Sequence, residues 1–111
     1  MRTIEAFEEQ LANATGRLVR ALNPHRIILF GSCAYGRPAA GSDVDLLIVT
    51  DSAERPAARA TRVSRLLRPR PFPMDIIVRT PDEIRRRLDI GDQFIREIMD
   101  QGRVLYDRDI S

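Results

Sequence analysis

Two aspartates open an apolar run in this chain: Asp43-Val44-Asp45 stands directly before Leu46-Leu47-Ile48-Val49. In a β-strand, side chains at i and i+2 point to the same face. The run therefore predicts two carboxylates side by side, with Val44 turned to the core. Two like charges this close repel and raise each other's pKa. A cation between them removes the conflict, and Mg²⁺ suits the position because it takes hard oxygen ligands from one or two carboxylates together with substrate phosphates. A third aspartate, Asp75, interrupts Met74-Asp75-Ile76-Ile77-Val78. A carboxylate inside a buried strand is costly unless it is paired or bound to metal. If the two strands are neighbours, Asp75 reaches the same site. Three carboxylates can hold two Mg²⁺ ions, which clamp the attacking and leaving oxygens of an in-line phosphoryl displacement.

A glycine-serine turn supplies the complementary half. Phe30-Gly31-Ser32 ends an apolar run, and a strand that turns there into a helical turn leaves backbone N–H groups to bind an anion. Glycine lets a phosphate approach the main chain, and the Ser32 hydroxyl adds a donor. Gly36 and the Gly41-Ser42 pair help the chain return, so that the aspartates sit near this turn. Arg37 lies within the same loop, in reach of a triphosphate. Each element also has a plainer reading: Ser42-Asp43 as an ordinary turn before a strand, Gly31-Ser32 as a strand-ending turn, Asp75 as an edge residue facing water. The single His25 makes no metal cluster, and Cys33 reads as a small packing residue with no histidine partner nearby. Tyr35 and Tyr106 read as packing or surface residues.

The elements that must position these residues follow from periodicity. Residues 4–22 carry Ile4, Phe7, Leu11, Leu18 and Leu22 at helical spacing, and Asn23-Pro24 stops the helix. Residues 26–30 and 43–49 read as strands, 54–68 as a helix, 74–78 as a third strand. Arg55, Arg59, Arg62 and Arg65 recur at helical spacing and read as a solvated face. Thr80-Pro81-Asp82-Glu83 starts a helix with a capping box. A further helix over 93–101 turns Phe94, Ile95, Ile98 and Met99 inward and ends at Gly102. Residues 103–106 form a last edge strand. The order predicts one α/β (α+β) domain over residues 1–111, a small mixed sheet with helices packed on it.

Composition excludes several classes. With 43% hydrophobic and 31% charged residues, the 111-residue chain has an ordinary soluble balance. No apolar run is long enough to span a bilayer, and the acidic, amphipathic N-terminus is not a signal peptide. One cysteine permits no intrachain disulfide, which agrees with the cytoplasm. All 18 Lys+Arg residues are arginine, yet the net charge is only +2, so strong nucleic-acid binding is not expected.

Gly31-Ser32, ten intervening residues, then Asp43-x-Asp45 resembles the signature of the polymerase-β-like nucleotidyltransferases. The fuller strings Gly31-Ser32-Cys33-Ala34-Tyr35-Gly36 and Ser42-Asp43-Val44-Asp45-Leu46-Leu47-Ile48-Val49 resemble the minimal nucleotidyltransferase branch, known as the antitoxin half of MNT–HEPN toxin–antitoxin pairs. Phe94-Ile95-Arg96-Glu97-Ile98 through Tyr106 is similar to the family's tail. The resemblance implies that Asp43 and Asp45 bind Mg²⁺ and the nucleotide phosphates and that Asp75 completes the metal site and assists deprotonation of the attacking hydroxyl. It implies that Gly31 and Ser32, with Arg37 and Ser42 beside them, hold ATP. The acceptor it implies is a tyrosine hydroxyl on a cognate HEPN toxin, silenced by transfer of AMP. Two other readings stand beside it: a binding module that neutralises its partner by covering it, and a transferase for a small molecule or RNA end that works as a homo-oligomer.

Overall fold

The computed structural model describes residues 4–31, 34 and 44–110. Among them, α1 spans Ile4–Leu22, β1 Arg26–Phe30, β2 Val44–Val49, α2 Pro56–Leu66, β3 Met74–Arg79, α3 Pro81–Asp89, α4 Gln93–Gln101 and β4 Arg103–Asp107. The strands form one sheet in the order β3-β2-β1-β4. β1 runs antiparallel to both β2 and β4. β2 and β3 are parallel and joined through α2, as a parallel pair requires a crossover. The small mixed sheet with packed helices that the pattern predicts is therefore present.

The central strands are apolar on both faces because both faces are covered. On one face, Phe7, Leu11, Ala14 and Leu18 of α1 and Val63 and Leu67 at α2 pack against Ile27, Leu29, Val44, Leu46, Ile48, Met74 and Val78. On the other, Ile84 of α3 and Ile95 and Ile98 of α4 pack against Ile28, Phe30, Leu47 and Val49. Thr80 accepts from the Glu83 N–H at 3.2 Å while a Glu83 carboxylate oxygen accepts from the Thr80 N–H at 2.8 Å, so the predicted capping box forms.

Three local expectations are corrected. α2 begins at Pro56 rather than residue 54, since proline fits the first helical turn. Arg59 is no member of a solvated face: it is 6% exposed. Its guanidinium grips both Glu83 oxygens, at 2.5 and 3.0 Å, and its Nε–H donates to the Glu54 carbonyl at 2.7 Å. That fork fixes α2 to the start of α3 and holds Glu83 at a pKa of about 2, mainly through the guanidinium hydrogen bonds. Phe94 is not inward but 51% exposed, because it stands at the border of the stripe that Ile95 and Ile98 fill. Gly102 ends α4, as the sequence predicts, with an extended backbone at φ −66° and ψ 156°. A side chain there would collide with Ile28 and the Ile98 carbonyl, so close packing of α4 on β1 explains the glycine.

Candidate active site

The predicted site residues that are described, Gly31, Asp45 and Asp75, fall at one end of the sheet. β2 and β3 are in parallel register, with Asp45 opposite Asp75. The two aspartates therefore lie on the same face at the strand spacing, about 4.8 Å apart at the backbone. This is the face that carries Leu47 and Val49 toward α3 and α4. Asp45 is half-buried and Asp75 exposed. The exposure corrects one step of the sequence argument: β3 is an edge strand, so Asp75 is no buried carboxylate in need of compensation. Its adjacency to Asp45, not its burial, makes it a site candidate.

Gly31 meets the pair from β1. Phe30 registers with Asp45, which puts Gly31 just past the end of the ladder. Its φ of +77° lies in the left-handed region. A Cβ built on it would collide with Asp45 Oδ2. The chain then turns, with the Ala34 N–H donating to the Gly31 carbonyl at 3.0 Å and Ala34 itself helical. Gly31 is thus fixed twice, by backbone conformation and by the Asp45 carboxylate against its Cα. Gly31→Ala is expected to lower stability by ~1–2 kcal/mol from the left-handed strain alone and to push the Asp45 carboxylate aside. Thermal unfolding checks the first effect. A variant as stable as the parent would refute the assigned conformation.

Ser32, Arg37, Ser42 and Asp43 lie outside the described residues, as do Cys33, Tyr35 and Gly36. Among the described residues no group of three or more His, Cys, Asp or Glu is assembled for a metal ion. The donors that are described fit a divalent cation nonetheless. Two hard carboxylates sit side by side, and Gly31 keeps open the space beside Asp45 that any side chain would fill. The described ionisable partners elsewhere are structural: His25 Nε2 lies 3.1 Å from Asp51, and Arg26 pairs with Asp107 at 3.0 Å.

A family model of the nucleotidyltransferase domain matches residues 9–105. The chain belongs to this family. Its fold is also similar to the crystal structure of a candidate nucleotidyltransferase from Sulfolobus solfataricus, with a TM-score of 0.65 and 20% identity over 93% of this chain and 82% of that one. At that identity the likeness speaks for the fold, which is the polymerase-β-like one the sequence motifs suggest. No protein of curated function matches the chain. A nucleotidyltransferase joins an acceptor to the α-phosphate of a nucleoside triphosphate, generally with divalent metals. Sequence reasoning passed over the surface position of Phe94, whose ring packs edge-on against Phe30, the register partner of Asp45, with centroids 5.7 Å apart. The signal was its place at the edge of the α4 stripe rather than at its centre.

Proposed function

We propose that this nucleotidyltransferase transfers AMP from Mg-ATP to a tyrosine hydroxyl of a partner HEPN-type toxin and so acts in the cytoplasm as its antitoxin. The observation that carries the transfer is the register pair Asp45–Asp75 beside Gly31. Asp43, Asp45 and Asp75 would hold Mg²⁺, which when bound neutralises phosphate charge and activates the attacking oxygen. Gly31 and Ser32, with Arg37 and Ser42, bind the triphosphate, and the Gly31 main chain lets a phosphate approach closely. Asp75, exposed on the edge strand, is open to an incoming acceptor and takes the proton of its hydroxyl. The acceptor oxygen bonds to the α-phosphorus as pyrophosphate leaves. The protein acceptor is supported by the resemblance of the motifs around Gly31 and Asp43 to the minimal nucleotidyltransferase branch.

The test is coexpression with the HEPN partner, followed by intact-mass measurement of that partner. It is expected to be heavier by one or more AMP units with the parent chain and unmodified with Asp45→Asn. An unmodified partner that remains bound to, and silenced by, both versions would replace transfer with neutralisation by binding alone.

A further inference from the structure

We propose that Phe94 is the surface on which the base of the bound nucleotide stacks, a substrate-binding residue separate from the carboxylates and the glycine turn. The proposal rests on the reading of Asp45 and Asp75 as the phosphate-binding end of the site. Phe30 registers with Asp45 on the same face of the sheet, and cross-strand neighbours of this kind have Cβ atoms about 5 Å apart. The Phe94 ring packs edge-on against Phe30, centroids 5.7 Å apart and planes at 83°. Asp45 and Phe94 thus share Phe30 as a common neighbour on one face of the sheet.

The ring is half in solvent, 51% exposed, while Phe30 beneath it is 8% exposed. The backbone that carries it is pinned. The Asp92 side chain caps α4 by accepting from the Ile95 N–H at 3.1 Å and is itself held by the Arg87 Nε–H at 2.9 Å. Ile95 and Ile98 bury the same helix against the sheet. A large apolar ring thus has its base fixed and ring surface free, the pre-organised form that makes stacking favourable. Every nucleobase has a π-face, so such a surface accepts adenine without hydrogen-bond readout.

The test titrates the full-length protein with Mg-ATP and, separately, Mg-tripolyphosphate, which has the phosphates but no base. The parent is expected to bind ATP more tightly than tripolyphosphate. Phe94→Ala and Phe94→Leu are expected to weaken ATP ~10-fold and leave tripolyphosphate within ~2-fold, the loss of one base–aromatic stack, and Phe94→Trp to restore ATP binding. Asp45→Asn is expected to weaken both ligands. Parent-like ATP binding by Phe94→Leu, equal loss of both ligands, or a parent that binds ATP no better than tripolyphosphate would overturn the stacking role. If Asp45→Asn weakens neither ligand, the phosphate site itself is misassigned, whatever Phe94 does.

Discussion

Asp45→Asn and Asp75→Asn are each expected to slow nucleotidyl transfer by ~10³-fold or more, because a metal-stabilised transition state carries several kcal/mol of charge stabilisation. Asparagine keeps the size of the side chain and removes the charge, so the loss reports the carboxylate and not its volume. Asp75 is exposed on the edge strand, and its substitution is expected to move stability by no more than about 0.5 kcal/mol. The double variant is expected to be scarcely slower than either single one, since groups that hold one ion act as a unit. Initial rates with Mg-ATP, alongside melting curves, decide the matter. Either variant retaining transfer within ~10-fold of the parent would remove that aspartate from the site, even though Asp45 and Asp75 face each other in the ladder.

The largest stability effect is expected at Arg59, far from the reacting groups. Arg59→Met leaves Glu83 without its guanidinium partner and removes donors to the Glu54 and Val78 carbonyls. Breaking a fully buried pair costs roughly 3–5 kcal/mol, and the Thr80 N–H and some solvent still serve Glu83, so about 2–3 kcal/mol is expected. Such a loss is a large share of a marginal folding free energy. The effect has a definite pH signature. Glu83 has its folded pKa depressed from 4.5 to about 2. The unfolded chain therefore binds more protons between those values, and stability rises with pH across that window. The contribution is complete above about pH 4.5 and is lost as pH falls toward 2. Parent and variant are thus expected to differ most at neutral pH and to converge on acidification. Denaturant unfolding at a series of pH values measures both curves. A constant gap down to pH 2 would show that the pair is not what stabilises the parent.

What was legible in the sequence was what short-range physics dictates. The run Arg26–Phe30 reads as a doubly covered strand because its side chains are apolar on both faces. The capping box at Thr80 and Glu83 is visible because its partners are three residues apart. The adjacency of Asp45 and Asp75 was conditional on strand order, which no local pattern encodes; the crossover through α2 supplies it. Arg59 was misread because four arginines at helical spacing look like one wet face. A signal against that was present: Arg59 is four residues before Val63, on the stripe α2 buries. Its partner Glu83 is 24 residues away, beyond any periodic argument. Phe94 failed for a similar reason, since periodicity marks a stripe and not how far the neighbouring element extends over it.

The edge position of β3 has a bearing on how the protein survives in a crowded solution. Met74–Arg79 is otherwise an apolar strand whose outer edge has no strand beside it among the described residues, the kind of edge along which separate molecules zip together. Pro71 and Pro73 precede it, and Arg79 closes it. Within the strand, the exposed Asp75 places a charge on the edge that a second chain would have to accommodate. The residue that faces Asp45 therefore also guards the strand against self-association, and a neutral side chain in its place would remove that charge while the prolines and Arg79 remain.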